Sequence, residues 1–302
     1  MSPIAIILIV ISAIAHASWN LLGKSQKPNA AFFLLANIFG TLFLGIIACT
    51  ASDLMPRIPT TVWYLLIATG LCQTIYFTGL SNGYRYGDLS IIYPVVRGLP
   101  ALIVVIISLL IGRSELISTQ SIWGCIFIFM GCLILPMKRF RDFRVDNYRN
   151  LSSFFALMAA LGTVGYSLID DLALHEMRLI PNTNLAIWQI TIVYAFFEGV
   201  FTTLWMTVVG LPYQNVRSDL RLLFKTTWSR AALTGLIISF TYVLVLISLA
   251  FVSDVSHVVG FRQLSIPIGT LMGIFILKEP AHKPRLFGVG VLFIGLVLIA
   301  TG

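Results

Sequence analysis

The chain has 302 residues, of which 58% are hydrophobic and only 11% are charged, with a mean hydropathy of +0.93. A soluble domain carries about a quarter charged residues, and a single buried core stops growing near ~250–300 residues. The composition therefore excludes a soluble enzyme, a disulfide scaffold and a disordered chain. The net charge of +8 lies in short segments between apolar runs, which is typical of membrane topology and argues against nucleic-acid binding.

Ten apolar runs approach the roughly 20 residues that a membrane-spanning helix needs. The runs are continuously apolar and not alternating, which predicts an all-α membrane protein and excludes a transmembrane β-barrel. The first run has no basic leader segment and no cleavage site, so we expect it to be a retained span. The predicted spans are residues 3–22, 30–50, 61–81, 89–111, 121–137, 151–174, 185–210, 230–251, 256–277 and 285–302.

The connections between these runs differ in charge. Fifteen Lys and Arg residues lie in alternate connections, whereas the connections of the opposite side carry only Arg57, Arg113 and Arg178. Basic connections face the cytoplasm, so both termini are predicted to lie outside, and residue 145 is predicted to be cytoplasmic.

An internal repeat relates residues 87–135 to residues 253–299, with two small gaps. The chain is therefore predicted to contain two five-helix repeats, residues 1–150 and 151–302. Because five is odd, the second repeat would insert upside down, as in many secondary transporters that bind substrate near the midplane between two inverted halves. The alignment pairs Asp88 with Asp254, Ser90 with Ser256, Arg97 with Arg262, Glu115 with Glu279, Gly124 with Gly288 and Gly131 with Gly295.

Several motifs resemble the EamA branch of the drug/metabolite transporter superfamily. They are HASWNLLGK (16–24), YPVVRGLP (93–100), GRSE (112–115), YSLIDD (166–171), LKEP (277–280) and the paired glycine tails. The resemblance implies ten helices in two inverted repeats and alternating access without ATP. It does not fix the substrate, since members move amino acids, amines, nucleotide-linked sugars and lipid-linked sugars. By the family pattern, the segment around Tyr166 mirrors Trp19 and Asn20, and Glu115 and Glu279 belong to an end motif.

Arg97 and Arg262 are the leading candidates for substrate binding. A charged side chain at the centre of a span costs on the order of 2.5–3.5 kcal/mol and usually lines a pathway or pairs with another group. The two arginines occupy matching repeat positions, and prolines and glycines flank both of them. The alternative is a structural arginine bound to helix carbonyls or to an internal acid.

The remaining candidates are polar residues within other spans. Asp170 is a candidate ligand for a cargo amine, with Tyr93, Trp19, Asn20 and Tyr166 lining the pocket. Two further residues are candidates for coupling transport to an ion. These are Glu198, which either exchanges a proton or forms an ion pair with Arg97 or Arg262, and His16, which is either a relay or a packing residue.

No phosphate-binding loop, hydrolase motif or metal-ligand spacing is present in the sequence, so we expect no cofactor and no metal. His257 and Asp254 are the nearest approach to an intramembrane enzyme, which is a remote alternative. The sequence thus predicts a secondary transporter of a small polar metabolite in the inner (plasma) membrane, with an amino acid or related zwitterion favoured and proton coupling as an option. A flippase or exchanger of lipid-linked or nucleotide-linked sugars is the alternative. The expected partners are the anionic or polar metabolite, the lipid bilayer and, in a homodimer, a second copy of the chain.

Overall fold

The computed structural model describes residues 1–23, 29–86, 89–112, 114–142, 151–181, 183–276, 278 and 280–302. Within these ranges, the side chains of residues 19–23, 84, 89–95 and 114 are outside the description. The described chain is all-helical and contains no β-strand, which confirms the all-α part of the predicted fold class.

The described part of the chain contains twelve α-helices, and each predicted apolar run overlaps one or two of them. The 13-residue helix α8 was not predicted and lies in the connection after the seventh run. The helices are α1 (Pro3–Gly23), α2 (Ala30–Ala48), α3 (Thr60–Tyr86), α4 (Leu89–Leu110), α5 (Thr119–Ile134), α6 (Leu151–Arg178), α7 (Ile187–Gly210), α8 (Gln214–Thr226), α9 (Trp228–Ser248), α10 (Val255–Phe261), α11 (Ser265–Phe275) and α12 (Lys283–Thr301).

Seven helical segments of the described chain are long and apolar enough to cross a membrane. They indicate a multi-pass membrane protein. Three further apolar stretches are shorter, namely Pro3–Ser18, Val96–Leu110 and Thr119–Ile134. The seven segments are Ala30–Arg57, Thr60–Gly83, Leu151–Arg178, Ile187–Gly210, Trp228–Phe251, Val255–Phe275 and Lys283–Thr301.

The ninth apolar run is broken at one of the predicted arginines. Helix α10 ends at Phe261, a 3₁₀ turn covers Arg262–Leu264, and α11 begins at Ser265. Pro267 then lies in the first turn of α11, where the missing N–H group of proline costs no helical hydrogen bond. At the other end, the Asp254 side chain caps α10 by accepting a hydrogen bond from the backbone N–H of Ser256 at 2.8 Å.

Helices from the two halves of the chain pack extensively against each other. The main pairs are α3 with α6, α1 with α9, α2 with α9, α3 with α7, α4 with α6, α1 with α11, α2 with α7, α4 with α10, and α5 with α12. The polar residues described below lie where α3, α6, α7 and α9 meet, with the 3₁₀ turn at Arg262 beside them.

Glycines bring α5 and α12 into backbone contact. A Cβ atom added at Gly124 would lie 2.8 Å from the carbonyl oxygen of Gly295, and one added at Gly131 would lie 2.8 Å from that of Gly288. The two helices therefore run antiparallel with almost no side chain between them, as in small-residue packing of membrane helices.

Candidate functional site

Asp170 lies at the centre of a buried hydrogen-bond cluster formed by four helices. Its side chain is fully buried on α6. Its Oδ1 atom accepts hydrogen bonds from Thr69 Oγ1 of α3 at 2.6 Å and from the Tyr194 hydroxyl of α7 at 2.7 Å. Its Oδ2 atom accepts a third from the Tyr242 hydroxyl of α9. Hydroxyl donors thus satisfy both oxygens of a carboxyl group that has no access to bulk water.

Glu198 lies on α7 beside this cluster and is also buried. Gln73 of α3 donates a hydrogen bond to its Oε1 atom. Glu198 and Asp170 are close enough to interact electrostatically. The predicted ion pair of Glu198 with an arginine is not formed among the described residues, because the amide of Gln73 faces the carboxyl group instead.

Arg262 contacts the aromatic residues next to Asp170. Its Nη2 atom donates to the Tyr166 hydroxyl at 3.2 Å, and its guanidinium carbon lies 5.9 Å from the centroid of the same ring. The Tyr166 ring in turn makes edge-to-face contacts with the rings of Tyr76 and Tyr242, with centroids 5.9 and 5.8 Å apart. Arg262 is therefore oriented by a tyrosine that also packs on the Asp170 cluster.

The structure brings Arg97 and Arg262 to the same place. Arg97 is 7% exposed on α4, and its Nη2 atom donates to Ser265 Oγ at 2.6 Å. The Ser265 hydroxyl also donates to the backbone carbonyl of Arg262 at 3.2 Å. His16 of α1 is near enough to both arginines to interact with them electrostatically.

A small cavity adjoins both the acidic and the basic residues. Its polar lining comes from Ser167, Asp170, Tyr242 and Arg262. The remaining lining is aliphatic and comes from α9, the turn after it and α10: Val245, Leu246, Leu249, Val255, Val258 and Val259. A carboxyl group and a guanidinium thus line one apolar-walled space, which in this conformation is smaller than the ~300–1,000 Å³ of a typical ligand pocket.

Several predicted site residues lie outside the side chains that the structure describes. They are Trp19 and Asn20, whose backbone belongs to α1, and Tyr93, whose backbone belongs to α4. Glu279 and residue 145, which is predicted to be cytoplasmic, are also outside the described residues. Their proposed roles stay predictions.

Sequence reasoning missed the neutral members of the cluster. Tyr242, Gln73, Thr69 and Ser265 supply most of the hydrogen bonds to the charged groups. Each of them lies inside an apolar run, as in the segment LCQTIYF around Gln73. A search for uncharged polar residues at the centres of spans would have found them.

Asp254 and His257 belong to a second polar cluster. Asp254 Oδ1 accepts a hydrogen bond from Ser108 Oγ at 3.2 Å, in addition to capping α10. His257 Nε2 lies 3.2 Å from Ser121 Oγ, and its Nδ1 lies 3.2 Å from the backbone oxygen of Asp254 and thus does not face the carboxyl group in the way a catalytic triad requires. All four residues are buried, and the cluster joins the start of α10 to α4 and α5.

Metal-binding groups are not assembled in the described part of the chain, since no three His, Cys, Asp or Glu residues there are placed to hold one ion.

A protein of known crystal structure has a similar fold, with a TM-score of 0.67 over 98% of this chain and 97% of that chain. The two sequences are 13% identical, so this likeness bears on the fold alone. No protein-family model matches the chain, and no curated protein sequence matches it. The two proteins thus share a fold over almost their whole lengths. The resemblance to a transporter family rests on the sequence motifs alone.

Proposed function

We propose that the protein is a secondary active transporter that carries a small zwitterionic metabolite, with an amino acid as the leading candidate, across the plasma membrane. One observation carries this proposal. Asp170 and Arg262 line one buried space between the two halves of the chain, and Ser265 links Arg97 to the turn of Arg262. Charged side chains inside membrane-spanning helices commonly mark a substrate or ion pathway.

The packing of the helices supports an inverted repeat. If spans one to five correspond to spans six to ten, a twofold axis exchanges the pair α3–α6 with α9–α1, the pair α2–α9 with α7–α3, and the pair α4–α6 with α11–α1. All of these pairs are in contact. The same operation exchanges the Gly124–Gly295 contact with Gly288–Gly131, and both contacts are present. Such isologous pairing is expected when two similar halves face each other, and transporters built this way bind substrate between the halves.

The chemistry of the cluster favours a zwitterion over a simple anion. A guanidinium presents a planar set of donors that matches a carboxylate, and Ser265 links Arg97 to the turn of Arg262, since its hydroxyl accepts from Arg97 and donates to the backbone carbonyl of Arg262. Asp170 lines the cavity that Arg262 also lines. An amino acid would place its carboxylate at the arginines and its ammonium at Asp170, so each end of the ligand would meet a side chain of opposite charge.

Thermal stabilisation of the purified protein tests the proposal without knowledge of the cargo. A ligand that binds only the folded protein raises its stability in proportion to its occupancy. We expect at least one amino acid to raise the melting temperature, and we expect the matching amine without a carboxylate and the matching acid without an amine to be weaker. Stabilisation by nucleotide-linked sugars and by no amino acid would contradict the assignment.

Paired variants give that experiment its control. Asp170→Asn removes the buried carboxylate and should abolish stabilisation by the amino acid. Asp171→Asn changes the neighbouring acid, which is half-buried and outside the cluster, and should retain the stabilisation. Equal loss in both variants would indicate general damage to α6 and would remove the support for Asp170 as a ligand.

A further inference from the structure

Helix α8 lies at one surface of the membrane because of its place in the chain. It begins three residues after the end of α7 and is separated from α9 by Thr227 alone, and both of these neighbours are long and apolar enough to span the bilayer. At 1.5 Å per residue, α8 is about 20 Å long, which is too short for the ~30 Å hydrocarbon core. Trp228, 53% exposed at the start of α9, belongs to a residue type that is enriched at the membrane–water interface. Helix α8 therefore lies at the level of the lipid headgroups.

One face of α8 is fixed to the helical bundle. Leu220 and Leu223 pack against the buried apolar residues of the neighbouring helices, and α8 contacts both α2 and α9. Asn29, the N-cap residue of α2, donates a hydrogen bond from its side chain to Asp219 Oδ2 at 2.8 Å. Asp219 is the only acidic residue of α8, so the one negative charge of the helix is engaged at the junction with α2.

Arg217, Arg221 and Lys225 form a basic stripe on the exposed face of α8. They recur every fourth residue and all three are exposed, so they cover an arc of roughly 80° of the helix surface. Arg217 also donates from Nη1 to the backbone carbonyl of Leu211 at 3.0 Å, which uses one of the several donors of its guanidinium. Arg230 follows in the first turn of α9 and is exposed as well. Such a group of cations beside a membrane-spanning helix attracts the anionic headgroups of the bilayer.

Two large apolar side chains flank the basic stripe. Leu222 is 60% exposed and Phe224 is 61% exposed. At about 100° per residue, Phe224 adjoins one edge of the stripe and Leu222 lies beyond the other edge. Apolar side chains on a helix at the headgroup level bury themselves against acyl chains, while basic side chains on the same helix contact anionic headgroups. A soluble anion would match the stripe alone, whereas a phospholipid matches both the stripe and its apolar flanks.

We propose that α8 is a binding site for an anionic phospholipid. The headgroup phosphate contacts the basic stripe of Arg217, Arg221 and Lys225, and the acyl chains contact Leu222 and Phe224. Because α8 packs on the bundle and is hydrogen-bonded to the N-cap of α2, the bound lipid stabilises the start of α2 along with α8. The inference concerns the membrane partner of the protein and does not depend on the proposed transport activity.

Native mass spectrometry of the full chain in detergent measures this binding directly. Phosphatidylglycerol and phosphatidylcholine with the same acyl chains are added in equal amounts, and the lipid retained on the protein is identified by its mass. We expect phosphatidylglycerol to be retained in preference to phosphatidylcholine. Each basic residue at an anionic surface strengthens binding about 5-fold. Arg221→Gln should therefore weaken binding of phosphatidylglycerol about 5-fold, and the triple replacement of Arg217, Arg221 and Lys225 by Gln should weaken it about 100-fold.

A second triple variant removes the same charge from another connection. Lys138, Arg139 and Arg141 are exposed between α5 and α6, and their joint replacement by Gln should leave the preference for phosphatidylglycerol as in the wild type. Inorganic phosphate should not displace the lipid, because phosphate has no acyl chains to contact the apolar flanks of the stripe. The proposal is overturned if the wild type shows no preference, if the α8 variants keep it, if both triple variants lose it equally, or if phosphate displaces the lipid. Arg221→Gln alone remains decisive if the triple variant of α8 does not fold.

Discussion

Replacement of Arg97 by lysine keeps a positive charge in α4 but removes the planar fork of donors. One donor of that fork, Nη2, is already used at Ser265 Oγ, 2.6 Å away. The remaining donors are the part of the side chain that could bind a carboxylate in the bidentate geometry that lysine cannot reproduce. Arg97→Lys should therefore lose at least one hydrogen bond to the cargo while preserving the charge.

The size of the effect follows from the kind of bond that is lost. A hydrogen bond to a charged group contributes about 1.5–3 kcal/mol, and about 1.4 kcal/mol corresponds to a tenfold change in affinity. Arg97→Lys should weaken binding of the stabilising amino acid by about 10- to 150-fold. Calorimetric titration of the purified variant measures this change, with size-exclusion chromatography to verify that the variant is folded.

Ser265→Ala provides the comparison that distinguishes a cargo-binding role of Arg97 from a structural role. This change removes the hydroxyl that orients Arg97 but leaves the guanidinium in place. If Arg97 binds cargo, Arg97→Lys should reduce affinity more than Ser265→Ala does. Wild-type affinity in Arg97→Lys, accompanied by a lower melting temperature in both variants, would refute the reasoning and make Arg97 a structural residue.

Three further predictions concern packing, coupling and orientation. Gly295→Ala places a Cβ atom 2.6 Å from a backbone oxygen of α5 and should destabilise the protein by about 1–3 kcal/mol, measured as a lower melting temperature, whereas Gly290→Ala on the same helix meets nothing within 4 Å and should not. Glu198→Gln should abolish uptake driven by a pH gradient in proteoliposomes but leave exchange of labelled for unlabelled cargo intact, and retained gradient-driven uptake would make Glu198 structural. Cysteines introduced one at a time at the exposed positions Ser218 and Asn184, in a background without the exposed native cysteine, should react with a membrane-impermeant maleimide on intact cells only at Asn184, and the reverse pattern would invert the predicted topology.

The helices were predictable because their apolar length is a local property of the sequence. Each predicted run overlaps a helix, since a run of apolar residues has no other way to satisfy its backbone groups in lipid. Helix α8 was missed because it is amphipathic and lies in a charged connection. Its Arg217, Arg221 and Lys225 recur every four residues and are exposed, while Leu220 and Leu223 pack against the bundle. This spacing is a helical signal that a search for long apolar runs does not detect.

The charged residues of the site were predictable, but their partners were not. A charge inside a span is conspicuous in the sequence, and Arg97, Arg262, Asp170 and Glu198 were found in this way. Their partners are set by helix packing, which brings residues more than a hundred positions apart into contact, such as Thr69 with Asp170. The sequence therefore offered proton exchange or an ion pair with an arginine for Glu198, and it gave no sign of Gln73, which the packing of α3 on α7 places against its carboxyl group.

Counterflow in liposomes tests directly whether the protein carries an amino acid and whether Asp170 is needed for it. Purified protein is reconstituted into vesicles loaded with a high concentration of one unlabelled amino acid, and entry of the same amino acid carrying a radioactive label is followed without any imposed ion gradient. If the protein carries an amino acid through the site at Asp170, saturable counterflow is expected for at least one amino acid, at the wild-type rate in Asp171→Asn and abolished in Asp170→Asn. Absence of counterflow for every amino acid tested, or undiminished counterflow in folded Asp170→Asn, would contradict it.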